Sequence, residues 1–519
     1  MTQQSSGPAS QPASTLPSWL WRPTWIVFIS SGCSMVLELV AGRIIAPYVG
    51  VSLYTWTTVI GVVLSGISVG NYLGGRLADR WASPRLLGLV LLLGGLSCFS
   101  ILAVDALGLY LPGNWPVVIQ ILALTAALFL LPSALLGGIS PVVAKLAVRD
   151  LAHTGRTVGK IYAAGAVGSI VGTFATGYVL IALFGTHAIV WGVAVVLIGM
   201  GLLFCLANRK LALVGIVLMV AVAGAIWFQG QARLRGICTW ETNYFCIRVY
   251  EEERDGEPVR TLVLDRLVHS YSSLSDPKRL VYGYEQVYAG IVGQRAQTDD
   301  HLRALFIGGG GYTFPRYMEA MYPNSDLDVV EIDPGVTRTA YNLLGLSRNT
   351  RIASYNEDAR LFLSRPPTKT YDLILGDAFN DYSVPYHLTT REFNQRVRAW
   401  LAPDGLYMVN MIDGLRRDFL RAFIYTLQQT FRHVYVIPAN ALWLNSPRMT
   451  YVLVATDTVL DLSAIQSPGN TGTSAQNLVL SDEAVKALLS EGRAVLLTDR
   501  YAPVEQMLAP VFRGESASH

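Results

Sequence analysis

The stretch that decides the fold of the second half of the chain is Leu305-Phe-Ile-Gly-Gly-Gly-Gly-Tyr312, followed by Val329-Val-Glu-Ile-Asp333. In the first stretch an apolar run breaks into glycines, and a helical pattern comes next. A strand, a glycine loop and a helix in this order place a nucleotide at the helix N-terminus, and an acid at the end of the next strand can hold ribose hydroxyls. The two stretches therefore predict a nucleotide-binding α/β domain.

The residues around these stretches extend the pattern in both directions. From residue 302 to 455, apolar runs alternate with helical spacing, which predicts a Rossmann-like, doubly wound parallel sheet over 299–515. Upstream, the strand-like runs Phe245–Tyr250 and Thr261–Asp265 flank an Asp-Gly turn, and a helical pattern follows them. They predict a small β subdomain and a linking helix over 236–298.

The first half of the chain has the composition of a membrane protein. Of the 519 residues, 52% are hydrophobic and 15% are charged, whereas roughly 25% are charged in a soluble protein. A bilayer core about 30 Å thick needs roughly 20 apolar residues per helix. Seven stretches qualify: 25–46, 53–74, 86–110, 116–136, 161–182, 187–207 and 211–228. We expect a disordered tail over 1–19 and a transmembrane bundle of about seven helices over 20–230.

Two features of the bundle are open to interpretation. Apolar character continues past Pro132 to Ala144, so the fourth span is either a kinked helix or a re-entrant pair. Small residues recur at helical spacing, for example at Gly66, Gly70 and Gly74, which indicates helices packed closely in lipid.

Basic residues in the short loops predict the orientation. Lys and Arg lie between spans two and three, four and five, and six and seven, while the loops 111–115 and 183–186 carry no charge. Positively charged loops stay in the cytoplasm. The N-terminus should then be cytoplasmic and, with seven spans, the soluble domain periplasmic. Cys238 and Cys246 are either two inert cytosolic thiols or, in an oxidising compartment, a disulfide.

Two charged residues fall inside the first span. Glu38 and Arg43 are five residues apart, and ionisable groups at membrane depth are costly unless they face the bundle or a cavity. They form either a structural pair near the interface or a polar site for a cationic substrate.

Four consecutive predicted strands end in residues suited to ligand binding, the glycine loop after the first strand and acidic residues after the next three. Glu331 and Asp333 close the second strand, Asp358 follows the third, and Asp377 and Asp381 follow the fourth. In open α/β sheets, ligands bind beyond the carboxyl ends of the strands. Each acid alone could simply cap a helix N-terminus, but the whole set favours a nucleoside site with a free carboxylate beside it.

These motifs resemble the spermidine synthase family, the aminopropyltransferases. The resemblance rests on Leu262-Val-Leu-Asp265, Tyr282-Gly-Tyr-Glu285, the glycine loop, Glu357-Asp358-Ala359 and Gly376-Asp377-Ala-Phe-Asn-Asp381. The chain is more specifically similar to bacterial membrane proteins in which such a domain follows a multi-span bundle, as in Gly74-Gly-Arg-Leu-Ala-Asp-Arg80.

The resemblance implies a reaction and a set of site residues. Decarboxylated S-adenosylmethionine would act as co-substrate, giving its aminopropyl group to a diamine such as putrescine and leaving methylthioadenosine, with no tightly bound cofactor and no metal. Asp377 would be the catalytic base, and Tyr284, Glu285 and Asp381 would bind the diamine. The residues implied for the nucleoside are Gly308, Gly309, Gly310, Glu331, Asp333, Asp358, Ala359 and Pro385.

The resemblance also implies partners and a location: polyamine and nucleoside substrates, a lipid bilayer, the bacterial inner membrane, and scope for a homodimer. A net charge of +3 does not indicate nucleic acid. The sequence departs from the family at Gly311, where an Asp usually holds the aminopropyl ammonium. Two alternatives therefore stay open: a methyltransferase using S-adenosylmethionine, and a transporter or sensor that binds polyamine or nucleoside without turnover.

Overall fold

A computed structural model describes residues 22–104, 107, 115–148, 151–205, 236–296, 301–378, 384–440, 443–461 and 479–513. It contains an apolar helical bundle, a small antiparallel sheet and an α/β domain with a mostly parallel sheet. The predicted fold class is confirmed. The exact domain limits stay predictions, and the tail 1–19 lies outside the described residues.

Within the described part of the chain, six helices or helix pairs are long and apolar enough to cross a membrane. They match the first six predicted spans, and the seventh, 211–228, lies outside the described residues. The helices are α1 (Pro23–Val49), α2 (Leu53–Trp81), α3 (Pro84–Ile101), α4 (Val117–Gly137), α5 (Ile139–Ala147), α6 (Thr154–Ala175, continued by a π-helical turn to Leu180 and a short helix over Ile181–Phe184) and α7 (Thr186–Cys205).

The fourth span is an interrupted helix. α4 gives way to α5 at Gly138, whose amide donates to the carbonyl of Ala134 at 3.1 Å, so the helical path continues through the break. Pro141 has no N–H for the carbonyl of Gly137 one turn earlier, which explains the interruption there. Of the two interpretations, the kinked helix describes this span.

The glycine-rich faces hold helices in backbone contact. A Cβ atom on Gly70 of α2 would lie 1.9 Å from the carbonyl oxygen of Ala134 on α4. On α6, a Cβ atom on Gly168 would lie 2.1 Å from the carbonyl oxygen of Phe28 on α1. Only residues without a side chain allow this approach, so the predicted close packing is confirmed.

The small sheet has four antiparallel strands in chain order: β1 (Trp240–Glu241), β2 (Cys246–Arg254), β3 (Glu257–Leu264) and β4 (Leu267–Ser272). The turn Asp255-Gly256 joins β2 to β3 as expected, with both residues at positive φ. β1 and β4 had no clear sequence signal. Helix α8 (Gly283–Ala296) then leads into the α/β domain.

The large sheet has seven strands, β5 (Arg303–Ile307), β6 (Asp326–Val330), β7 (Ala353–Tyr355), β8 (Tyr371–Gly376), β9 (Leu401–Asp413), β10 (His433–Pro438) and β11 (Met449–Thr456), in the order β10-β11-β9-β8-β5-β6-β7. Its helices are α9 (Thr313–Met321), α10 (Pro334–Leu343), α11 (Ala359–Leu363), α12 (Arg391–Trp400), α13 (Asp418–Gln428), α14 (Asp482–Ser490) and α15 (Val504–Arg513).

One part of the sheet prediction is wrong. β5 to β9 pair in parallel, but β11 pairs antiparallel with both β9 and β10. The link from β10 to β11 is too short for a parallel connection, which needs a crossover of a dozen or more residues. The sheet is therefore parallel in its centre and antiparallel at one edge.

The α/β domain and the small sheet both touch the bundle at one end of the membrane helices. Glu505 of α15 accepts a hydrogen bond from the amide of Leu53, at the start of α2, at 3.1 Å. Glu241 accepts two from Thr186, at the start of α7, at 2.8 and 2.9 Å. Negative side chains at these helix N-termini are favourable because the backbone N–H groups there lack partners within the helix.

Candidate functional site

A cavity of about 240 Å³ lies beyond the carboxyl ends of β5, β6 and β8, and the small sheet covers its other side. The glycine loop after β5 and the acids after β6 and β8 reach it from the sheet, as the strand-end rule predicts. Seven of the predicted site residues line it: Gly308, Gly310, Glu331, Asp358, Ala359, Asp377 and Pro385.

The glycine loop forms the floor of the cavity. Gly308 has a φ of +95°, and a Cβ atom there would lie 2.3 Å from the carbonyl oxygen of Asp377. A side chain at this position would therefore be both strained and blocked. Gly309 sits behind the loop, where its amide donates to Oε2 of Glu331 at 2.8 Å. The loop is thereby fixed to the end of β6.

Glu331 and Asp333 have different surroundings. Oε1 of Glu331 accepts from the amide of Asp333 at 2.9 Å, and its carboxylate still lines the cavity. Asp333 caps α10 through the amide of Gly335 at 2.8 Å, and its other oxygen accepts from the hydroxyl of Thr242 at 2.5 Å. Burial raises the pKa of both carboxyls. Asp333 therefore acts behind the wall of the cavity rather than in it.

Asp358 also combines a helix cap with a place in the cavity. Its Oδ1 accepts from the amides of Arg360 and Leu361, at 2.8 and 3.1 Å, as an N-cap does. Its Oδ2 lies 3.1 Å from Nε2 of His387, a residue that also lines the cavity. Asp333 and Asp358 are thus both helix caps, as the alternative interpretation predicts. Asp358 also lines the cavity.

Asp377 has the geometry of a held base. Its Oδ2 accepts from the hydroxyl of Tyr284 at 2.8 Å, and its Oδ1 from the side-chain amide of Asn410, also at 2.8 Å. Burial raises the pKa of Asp377, while these two hydrogen bonds act in the opposite direction. A raised pKa makes a carboxylate a stronger proton acceptor.

Glu285 stands close behind Asp377. Burial, and then the charge of Asp377, raise its pKa to about 8. Its Oε2 has no hydrogen-bond partner among the described residues. Two buried acids so arranged can neutralise a cationic amine. Asp381 lies outside the described residues, so its predicted role stays a prediction, as do the ligand roles of the other site residues.

Gly311 is closed to side chains by its neighbours. A Cβ atom there would lie 1.9 Å from Oγ of Ser270, on β4. A side chain at this position would therefore require Ser270 to move.

Sequence reasoning missed three contributors to the site. Asn410 lies within β9, and His269 lies on β4, whose position the sequence did not reveal. Burial, and then the charge of Arg448, lower the pKa of His269 to about 4, so this cavity-lining imidazole is neutral. The third is the loop 242–245, which supplies Tyr244 and Phe245 to the cavity. All three reach the site through contacts with residues far away in the sequence, and the periodicity of apolar residues does not predict such contacts.

The fold and this cavity define the class of the molecule: a bundle of membrane-spanning length joined to a Rossmann-like α/β domain with an acidic pocket at its strand ends. No protein-family model matches the chain. Its sequence relatives include polyamine aminopropyltransferases and also the human eEF1A lysine and N-terminal methyltransferase, which is 26% identical over 125 residues, a match that covers 21% of this chain and 18% of that protein.

The chain is similar in sequence to polyamine aminopropyltransferases. It is 41% identical over 112 residues to the polyamine aminopropyltransferase of Vibrio vulnificus, a match that covers 21% of this chain and 37% of that protein. It is 25% identical over 437 residues to polyamine aminopropyltransferase 2 of Streptomyces coelicolor, covering 78% of this chain and 76% of that one. The resemblance predicted from the motifs is confirmed.

A solved structure of a probable spermidine synthase from Corynebacterium glutamicum is also similar, with a TM-score of 0.45 and 23% identity. The match covers 51% of this chain and 97% of that one.

Proposed function

We propose that the protein is a membrane-anchored, aminopropyltransferase-like enzyme that moves an aminopropyl group from decarboxylated S-adenosylmethionine to a diamine such as putrescine. The observation that carries this proposal is the position of Asp377: it faces the nucleoside-sized cavity on one side and is held by Tyr284 and Asn410 on the other. A site that only bound a nucleoside would not need a second buried acid, Glu285, behind it.

In the proposed reaction the chain aligns two substrates and accepts one proton. The neutral amine of the diamine attacks the carbon attached to the sulfonium, the carbon–sulfur bond breaks, and its electron pair stays on sulfur to give methylthioadenosine. Before the attack, Asp377 takes one proton from the attacking nitrogen, which is an ammonium near neutral pH; the nitrogen keeps its other protons and ends as a secondary ammonium. Glu331, Asp358 and Pro385 would hold the nucleoside.

The test is a transfer assay with the purified full-length protein. Wild type should convert decarboxylated donor and putrescine to spermidine and methylthioadenosine. Asp377→Asn should bind methylthioadenosine as wild type does but lose at least about 100-fold in kcat, the usual contribution of a positioned base. Exposed Glu253→Gln serves as the matched control. Nucleoside binding without turnover of any donor would instead support a non-catalytic sensor or transporter.

A second candidate, a methyltransferase, is favoured by Gly311. The blocked space beside Ser270 removes the carboxylate that the resemblance assigns to the aminopropyl ammonium. The same assay run with S-adenosylmethionine separates the two, because methyl transfer gives S-adenosylhomocysteine rather than methylthioadenosine.

We further propose that the α/β domain lies on the periplasmic side of a bacterial inner membrane. The hydrogen bonds that Glu505 and Glu241 accept lie at the end of the bundle where α2 and α7 begin. The basic residues Arg80, Arg85 and Lys145 lie at the opposite end, which the positive-inside rule assigns to the cytoplasm. The disulfide between Cys238 and Cys246 is consistent with an oxidising compartment.

A further inference from the structure

Arg43, a residue of membrane helix α1, reaches out of the bundle to the wall of the cavity. Its guanidinium donates to the carbonyl oxygens of Tyr244 at 2.6 Å and Asn243 at 3.1 Å, and also to that of Thr242. Neither interpretation made from the sequence, a pair with Glu38 or a site for a cationic substrate, describes these contacts.

The segment that Arg43 holds, residues 242–245, is called here the wall loop. The hydroxyl of Thr242 organises it by accepting from the amides of Tyr244 at 3.1 Å and Phe245 at 2.9 Å. Tyr244 and Phe245 then line the cavity together with Gly308 and Gly310 of the glycine loop. The shape of this side of the cavity thus depends on the backbone that Arg43 holds.

The wall loop is also joined to the end of β6. The hydroxyl of Thr242 donates to Asp333, the amide of Asp333 donates to Glu331, and Glu331 accepts from Gly309. The charge of Arg43 lowers the pKa of Asp333, a smaller effect than the rise that burial causes. A continuous set of polar contacts therefore runs from α1 to the glycine loop.

Two further contacts fix the ends of this region. The disulfide between Cys238 and Cys246 brackets the wall loop, with the two Cα atoms 5.4 Å apart. Glu241, just before the loop, holds the first turn of α7 through Thr186. The loop is thereby anchored to two membrane helices and to the α/β domain at once.

We infer that Arg43 is a positioning residue for the nucleoside pocket, so that the membrane bundle supplies part of the structure that binds the nucleoside. This inference rests on the proposed nucleoside site. An arginine suits the role because its planar guanidinium offers five donors in fixed directions, enough for three carbonyls; a lysine offers one compact charge. The bundle is then an integral part of the site rather than only an anchor.

The test compares three variants of the full-length protein in detergent. Arg43→Met should raise the Kd for methylthioadenosine by about tenfold or more, the effect of losing about 1.4 kcal/mol. Arg43→Lys should recover only part of that loss. Glu505→Gln, which weakens a different contact between the domain and the bundle, should bind methylthioadenosine as wild type does.

Kinetics and hydrogen exchange separate positioning from general stability. In Arg43→Met, the KM for the donor should rise, while the KM for the diamine and kcat at saturating donor stay near wild type, because Tyr284 and Glu285 are held by α8. Amide exchange over residues 239–247 should quicken in this variant. Wild-type affinity in Arg43→Met, or an equal loss in Glu505→Gln, would overturn the inference.

The same measurements distinguish a failure of the proposed function from a failure of the inference about Arg43. If wild type does not bind methylthioadenosine, the nucleoside site is wrong, and the inference about nucleoside binding is wrong with it. If wild type binds and turns over its substrates, but Arg43→Met matches it in Kd and exchange, only the role of Arg43 is rejected.

Discussion

At the scale of single residues, the site depends on acids that the fold keeps from behaving as ordinary surface carboxylates. Glu285 is 2% exposed, and its pKa is raised to about 8 by burial and by the nearby Asp377. Near neutral pH it therefore holds a proton, which the amine binding proposed above would displace. The pair can thus hold an ammonium group without carrying two unpaired buried charges beforehand.

The raised pKa of Glu285 predicts how the free energy of unfolding depends on pH. Between pH 4.5 and about 8 the folded protein keeps a proton on Glu285 that the unfolded chain has lost. The contribution of Glu285 to the free energy of unfolding is therefore complete below pH 4.5 and is lost as the pH rises through about 8. The slope for one proton is at most about 1.4 kcal/mol per pH unit. Unfolding of Glu285→Gln, measured from pH 5 to 8, should show a shallower fall than wild type.

A suitable control is Glu253→Gln, because Glu253 is exposed on β2. An unchanged slope in Glu285→Gln would mean that Glu285 is already ionised in the folded protein. The assignment of Glu285 to the amine pocket would then lose its electrostatic support.

At the scale of secondary-structure elements, the periodicity of apolar residues in the sequence predicts the strands and helices at the parallel centre of the large sheet. The strands β5, β6 and β8 coincide with apolar runs of strand length, and the glycine loop, Glu331 and Asp377 follow their carboxyl ends, where ligands bind in such sheets. The antiparallel direction of β11 was not predictable, since a buried strand has the same apolar pattern whichever way it runs.

Contacts between residues far apart in the sequence could not be predicted at the site. Asp377 could be located from its motif, but Asn410, its second partner, comes from a strand 33 residues further along the chain. Arg43 was visible as a charge inside a span, yet its carbonyl partners lie about 200 residues away. Neither pair of partners is related by helix or strand periodicity, so these contacts are found only in the folded structure.

The packing of the helices in the bundle gives a second prediction. Gly70→Ala would place a Cβ atom 1.9 Å from a backbone oxygen of α4, whereas one on Gly75, five residues later, would meet nothing within 4 Å. We expect Gly70→Ala to lower stability by about 1–3 kcal/mol through overpacking. Gly75→Ala should be neutral or stabilising by up to about 1 kcal/mol. Thermal unfolding of both variants in one detergent compares them, and equal effects would contradict the close approach of α2 and α4.

At the scale of the whole molecule, the small sheet and the α/β domain both contact the bundle at the end where α2 and α7 begin. The first turn of α7 binds Glu241, and the described chain resumes at Gly236, where a Cβ atom would lie 2.4 Å from the His187 ring on that same turn. α7 itself ends at Cys205, on the side of the basic loops. The side of the membrane that the domain occupies therefore decides from which compartment the proposed nucleoside and amine would have to come.

Single added cysteines test this orientation in intact cells. Glu253→Cys on β2 is exposed in the α/β half, and Gly155→Cys at the start of α6 is exposed at the basic end of the bundle. If the domain is periplasmic, a membrane-impermeant maleimide should label Glu253→Cys directly and Gly155→Cys only after permeabilisation. The parent chain, with its own Cys205, gives the background. The reverse pattern would place the domain in the cytoplasm, where the nucleoside donor is made, and would require the basic loops of this bundle to face outward against the positive-inside rule.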